Sequence, residues 1–252
     1  VLRDPSTLPG HVARGIPRLW FEELTRGADG NYSEVKLRAL IARYWGLVQL
    51  IDRNVGRLMQ TLEDLNLRND TIVVFNSDHG DMMGAHGLVS KGNFMFDGAT
   101  KVPLVISYPD HLPAGKRTAK IASSIDIVPT LLELAGLAQP KEMDGLSLRQ
   151  YWDYGFNTRD AAFMQIWEAY GAFDPVLAVR TERWKYSWRI AGGDELYDMQ
   201  KDPGELHNLA HSRDNADTII GLKGRITQWL RETGDIPLSM LTVPNKSFME
   251  DF

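Results

Sequence analysis

The chain has 252 residues, of which 43% are hydrophobic, with 28 Lys and Arg set against 33 Asp and Glu for a formal net charge of −5. That is apolar material for one large folded domain, or a large one with a smaller appendage, and it is not the composition of a disordered chain. The acidic balance and the lack of a dense basic cluster exclude a general nucleic-acid or membrane-surface binder, no apolar run reaches the ~18 residues of a membrane span, and the absence of Cys excludes disulfides and thiolate chemistry within this stretch.

Residues 1–32 hold Pro5, Pro9, Pro17, Gly10, Gly15, Gly27 and Gly30 and read as an irregular connecting segment. Leu37, Ile41, Tyr44, Val48, Ile51, Val55, Leu58, Leu62 and Leu65 then recur at spacings of three and four, which predicts one long helix with one apolar face. Ser33 is placed to cap it. After a turn at Leu67-Arg68-Asn69-Asp70 comes Thr71-Ile72-Val73-Val74-Phe75, the β-branched run of a strand buried on both faces. A helix feeding such a strand predicts an α/β unit with a mostly parallel sheet. Lys101 to Tyr108 reads as a second strand, with Pro103 near its start or on an edge because proline cannot donate to the ladder. Asp126 to Leu137 reads as a helix with Pro129 in its first turn and Gly136 near its end.

The pattern changes after Gly155. Residues 161–168, 176–182, 184–190 and 194–199 are short aromatic-rich strands in close succession, which predicts an antiparallel meander with Trp167, Trp184 and Trp188 in its core. A helix over 214–232 follows, with Ile219, Ile220, Ile226, Trp229 and Leu230 as its apolar face. The chain therefore divides into a connecting segment (1–32), an α/β part (33–155), and a small antiparallel α+β subdomain with a tail (156–252).

The chemistry concentrates in Asn76-Ser77-Asp78-His79-Gly80-Asp81-Met82-Met83-Gly84-Ala85-His86-Gly87, which begins where the first strand ends. Ligands of open α/β sheets bind outside the carboxyl ends of strands. A carboxylate beside an imidazole offers one oxygen and one nitrogen ligand to a divalent cation. Two ligands do not complete a site, since zinc takes about four and calcium about six to eight. Asp78 could equally cap the following turn, with His79 an ordinary loop residue. Lys91 could hold an anionic oxygen or a leaving oxyanion, or be a solvated surface lysine. His86 reads as a residue that pins the glycine-rich loop, and Asp81 as a turn-former rather than a third carboxylate ligand. No Gly-x-Ser-x-Gly, phosphate-binding loop or His-Glu-x-x-His supplies a nucleophile or a complete metal site.

Thr71 to Pro109 (TIVVFNSDHGDMMGAHGLVSKGNFMFDGATKVPLVISYP) closely resembles the C-terminal signature region of the sulfatases, in the alkaline-phosphatase superfamily. Tyr44 to Asp64, Ser124 to Leu137, Met143 to Leu148, Val179 to Tyr186 and Glu195 to Ala210 resemble further blocks of that family in order, so the resemblance runs from about residue 35 to 230. It implies a sulfatase-like α/β fold whose mostly parallel sheet is sandwiched by helices, followed by the small antiparallel subdomain, with the N-terminal half missing. It also implies a sulfuric ester hydrolase acting on a small-molecule sulfate ester.

Asp78 and His79 align with the family's metal pair, in the Asp-His form that resembles iduronate-sulfatase-like, choline-sulfatase-like and phosphonate-monoesterase-like members. Lys91 aligns with the lysine that contacts the sulfate and the leaving oxygen. The implied cofactor is one divalent cation, calcium by family habit, with manganese or zinc compatible with the imidazole. Lys101 stands where many members carry Arg before Val-Pro-Leu. The family's Cys/Ser-x-Pro-x-Arg block, whose first residue becomes formylglycine, and its upstream Asp and His residues are not in these 252 residues. The expectation is therefore a C-terminal half, inactive alone, that works with a missing N-terminal half of the same protein or a complementing chain. The alternatives are a phosphonate monoester or phosphodiester hydrolase of the same superfamily, and a non-catalytic fragment or scaffold.

Overall fold

A computed structural model describes residue 27 and residues 33–153, 159–169, 172–190 and 193–234. The connecting segment expected over 1–32 and the tail beyond 234 lie outside these, Gly27 apart. Helix α1 (Glu34–Asp64) begins at Ser33, whose hydroxyl accepts from the Lys36 N–H at 3.4 Å. It stops where Asn66 takes a left-handed conformation at φ 55° and Leu67 N–H bonds back to the Leu62 carbonyl at 2.8 Å. Of the apolar residues on its predicted face only Leu37 is buried, while Ile51 and Leu58 are 51% and 67% exposed. The periodicity was that of a helix with something to cover, and among the described residues nothing covers it. No helix among them is long and apolar enough to cross a membrane.

Strand β1 (Val73–Asn76) pairs with β2 (Leu104–Ser107) in antiparallel register, from Val73↔Ser107 to Asn76↔Leu104. Among the described residues this is the one ladder of the α/β part, and it is antiparallel, where the sequence predicts a mostly parallel sheet. A parallel partner needs a crossover that carries the chain back to the other end of the sheet. Here the intervening segment holds only the one-turn helix α2 (Asp97–Thr100) and re-enters beside the point where it left. Pro103 stands just before β2, where it costs no ladder bond. Burial on both faces is not realised either: Phe75 is 37% and Val105 58% exposed.

A short 3₁₀ turn (Ser124–Asp126) leads into α3 (Ile127–Leu134), and α4 (Gln150–Asp153) follows. Asp126 is fully buried and holds this region together. It accepts from Ser123 N–H and Leu146 N–H, each at 2.8 Å, and receives the Arg159 guanidinium on both oxygens. The last contact ties the α3 region to the segment that enters the meander.

The meander is a four-stranded antiparallel sheet in the order β3 (Ala161–Ala169), β4 (Ala172–Thr181), β5 (Trp184–Arg189), β6 (Glu195–Asp198). The period-two alternation of β4 feeds two cores. Leu177 and Val179 face α5 (Ala216–Thr233) and pack with Leu222, Ile226 and Leu230. Val176 and Ala178 face the other way, onto Met95. Trp167, Trp184 and Trp188 pack against the first of these cores. Ile220 is 69% exposed, so the apolar face of α5 turns through Leu222 instead.

Candidate active site

The segment between β1 and β2 folds on itself and then onto the meander. Gly84 and Gly87 take positive φ of 97° and 72°, which a side chain would strain, and let the chain double back. Met83 N–H reaches the Val89 carbonyl at 2.8 Å and Gly84 N–H the Leu88 carbonyl at 2.6 Å. Met82, Leu88, Phe94, Phe96 and Ala99 form a buried cluster with Tyr197 and Met199, so this long segment has a core of its own. Gly80 lies so close to Gly98 that a Cβ would sit 2.1 Å from the Gly98 carbonyl oxygen. His86 is buried and stacked on Phe96, 4.0 Å between ring centroids, as a residue that pins the loop.

The far side is locked by charge. On β5, Lys185, Ser187 and Arg189 alternate with Trp184, Tyr186 and Trp188, a pattern that ordinarily marks a solvent face, yet all three polar residues are buried. The Lys185 ammonium donates to the Met95 carbonyl at 2.9 Å, to the Glu205 carboxylate at 2.7 Å and to Asp97. The other oxygen of Glu205 accepts from Asp97 N–H at 2.7 Å. Arg189 bonds Asp174 and the Asn93 carbonyl. Residues 93–97 are thereby bolted to the meander by groups whose partners are distant in sequence. Burial pushes the Glu205 carboxyl above its ordinary value, against the opposing pull of Lys185.

Between these parts lies a cleft of about 490 Å³. Asp78, His79 and Lys91 all line it, together with Lys101 from the start of β2 and Ser123, Phe163 and Gln165 from the α3 region and β3. The His79 Nδ1 stands 3.0 Å from the Gly80 carbonyl, and its Nε2 is 3.5 Å from Asp78 Oδ2. With Nδ1 donating to that carbonyl, Nε2 is left as a lone-pair donor beside a carboxylate oxygen, the arrangement that orients a metal-binding imidazole. The Asp78 carboxyl is held below the usual carboxylate range, chiefly because His79 N–H donates to Oδ1 at 2.9 Å, with the Lys91 charge adding a smaller pull. The pair fits half of a cation site: among the described residues no cluster of three His, Cys, Asp or Glu could hold a metal ion.

Asp81 is not a third ligand. Its Oδ1 accepts from Lys91 N–H at 3.1 Å and Ser90 hydroxyl at 3.2 Å, and so fixes the turn that carries Lys91. Asp78, His79 and Lys91, singled out from the sequence, line one cleft, whereas the Lys185–Asp97–Glu205 lock and the wall from β3 were not foreseen. The alternation of β5 was the available signal, and it lacked any indication that residues 93–97 would cover its polar side.

Comparison with known proteins gives the family. A family described as N-sulphoglucosamine sulphohydrolase, C-terminal, matches residues 84–232, more than half of the chain, and one described as Sulfatase matches residues 17–137. The chain belongs to the sulfatase family. It is 34% identical over 185 residues to the choline-sulfatase of Rhizobium meliloti, covering 72% of this chain and 35% of that protein. Among solved structures it is similar to a 2-O GAG sulfatase, with TM-score 0.83 and 26% identity over 93% of this chain and 51% of that one. It is also similar to the phosphonate monoester hydrolase of Agrobacterium radiobacter, with TM-score 0.73 and 33% identity over 82% of this chain and 44% of that one. The expected α/β sulfatase fold is thus the observed one, and the chain spans about half the length, or less, of these family relatives.

Proposed function

We propose that the complete protein is a sulfuric ester hydrolase and that this chain supplies part of its cation and sulfate site. The observation that carries the reading is the meeting of Asp78, His79 and Lys91 in one cleft of a sulfatase-family chain. The choline-sulfatase and 2-O GAG sulfatase relatives support a small-molecule sulfate ester as substrate.

In this reading Asp78 and His79 hold one divalent cation, calcium first, with manganese and zinc as the other ions an imidazole accommodates. When bound, the cation lowers the cost of negative charge on the sulfate oxygens. Lys91 places its ammonium against the leaving alcohol oxygen, which gains charge as its bond to sulfur breaks. Asp81 keeps that lysine in place through its backbone N–H. The apolar wall of Phe94, Met95 and Ile166 displaces water and strengthens these charge contacts. The nucleophile, formylglycine by the family pattern, and the remaining ligands belong in this proposal to an N-terminal half or complementing chain. The apolar residues of α1 and β2 left exposed among the described residues support such a partner, because a monomer rarely leaves so much apolar surface in water. This chain alone is then inactive. The phosphonate monoester hydrolase is a second reading, favoured by its 33% identity.

The test is to purify the complete protein, measure its bound metal, and compare an aryl sulfate with an aryl phosphonate monoester. About one cation per protein and a larger kcat/KM for the sulfate are expected. A larger kcat/KM for the phosphonate would establish the second reading, and a metal-free protein inactive on both would be a scaffold. Lys91→Ala should lower kcat by about a hundredfold or more, the scale of losing one donor to a developing oxyanion. Full turnover in that variant would remove the lysine from the mechanism.

A further inference from the structure

Four ionisable side chains line the cleft: Asp78, His79, Lys91 and Lys101. The proposed function uses the first three and leaves Lys101 without a task. The sheet fixes its backbone position. The β1–β2 register ends at Asn76↔Leu104, and carrying it three residues further brings Lys101 abreast of His79. The two segments still run side by side there, since Gly80 N–H donates to the Ala99 carbonyl at 2.8 Å. The Lys101 N–H bonds the Asp97 carbonyl at 2.9 Å and closes α2, so this backbone is anchored at both ends.

The Lys101 side chain is exposed to the cleft, and among the described residues its ammonium has no hydrogen-bond or ion-pair partner. Lys185 on β5 shows the contrast: its ammonium is buried and its donors go to Met95, Asp97 and Glu205. A cation with no counter-charge among the described residues, on the wall of a cleft that in this reading takes an anion, is placed for an anion of the ligand. Lys91 enters from a different segment, ten residues away along the chain and across α2, so the two ammonium groups offer two separate positions for negative charge. Ser123 and Gln165 on the facing wall add neutral hydrogen-bonding groups suited to a hydroxyl-bearing body between them.

Resting on the sulfatase reading, we propose that Lys101 is a specificity-determining residue that binds a second anionic group, a sulfate or a carboxylate, on the substrate that carries the scissile sulfate. The substrate class is therefore a polyanionic sulfate ester rather than a singly charged one. A charge-assisted contact of this kind changes affinity by about tenfold to a hundredfold.

The experiment compares Lys101→Met, Lys101→Arg and the parent in the complete protein. Each is assayed on an aryl sulfate with one negative charge, on a disulfated hexosamine, and on a sulfated uronic acid. The expected result is that the ratio of kcat/KM for a doubly charged substrate over the aryl sulfate falls about tenfold or more in Lys101→Met, through KM, and recovers in Lys101→Arg. Loss on the hexosamine alone assigns a second sulfate, and loss on the uronic acid alone a carboxylate. An unchanged ratio, or a fall that the arginine does not restore, overturns the proposal. Calorimetric binding of the disulfated sugar separates the two levels of inference. If the complete protein hydrolyses no sulfate ester, the functional reading fails, yet binding that weakens in Lys101→Met still sustains the subsite, and binding indifferent to Lys101 overturns it.

Discussion

Replacing Lys185 with Met tests whether the site loop is held by buried charge. The Lys185 side chain is 1% exposed and Glu205 3%, while Asp97 keeps 23% of its exposure. Methionine fills the volume of the lysine stem, so the cavity contribution is small. What is lost is the counter-charge of Glu205 and the donor to the Met95 carbonyl. Breaking one partner of a buried pair costs about 3–5 kcal/mol. Asp97 can turn partly to water, which puts the expected loss near the lower end, at about 3 kcal/mol. The loss should also depend on pH, because Glu205 can accept a proton. Burial already raises its carboxyl in the native fold above the ordinary 4.5. A raised folded value contributes stability that is fully present below the unfolded value and lost as pH rises through the folded one. Without Lys185 the carboxyl rises further, so the deficit should be larger at pH 8 than at pH 5.

Urea unfolding of the complete protein, followed by tryptophan fluorescence at both pH values, measures this, since Trp184 adjoins the altered position. A deficit under about 1 kcal/mol, or one that grows toward pH 5, would refute the view that an ionised, buried lysine–carboxylate lock holds residues 93–97.

Three further outcomes follow from the packing. Asp126→Ala strips the Arg159 guanidinium and two backbone N–H groups of their acceptor and should cost about 3–5 kcal/mol in the same unfolding experiment. Gly80→Ala forces a backbone shift between His79 and Asp81, because the new Cβ would meet the Gly98 carbonyl. Metal content by mass spectrometry and kcat/KM should fall together, the latter about tenfold or more. On α5, Ile226→Ala should cost about 2–5 kcal/mol, whereas Ile220→Ala should stay within about 0.5 kcal/mol, and equal losses at both would contradict the observed helix face.

Local chemistry was readable in the sequence wherever a residue's partner lies a few positions away. Ser33 caps α1, Pro103 stands before β2, and the close-set strands of 161–198 pair as a meander because each step is local. Asp78 and His79 were legible as neighbours at a strand end. Relations across the chain were not. The antiparallel return of β2 depends on how residues 77–103 fold, and their core includes Tyr197 and Met199 from far along the chain. Lys185 finds Asp97 and Glu205 only after the meander forms, and no periodicity encodes that meeting. Spacing alone puts Ile220 on the apolar face of the helix, while the sheet beneath α5 selects Leu222.

Among the described residues nothing covers the face of α1, and in the proposed reading the Asp78–His79 pair needs further ligands, so one missing piece would account for both. Val48, Ile51 and Leu58 lie on a stripe whose spacing matches a buried helix, yet they stand 37%, 51% and 67% exposed. Apolar side chains contribute nothing to stability until water leaves them, at roughly 25 cal/mol per Å². Asp78 and His79 likewise gain little from their proximity until more donors close around a cation. A single covering piece that buried the α1 stripe and brought oxygen ligands to the end of β1 would supply both. In that arrangement the deficits must be repaired together. A charge placed in the stripe, such as Ile51→Asp, should then weaken cation binding in the complete protein although residue 51 belongs to α1 and not to the loop that bears the ligands. Unchanged metal content in a stably folded Ile51→Asp protein would mean that the stripe and the site have separate covers.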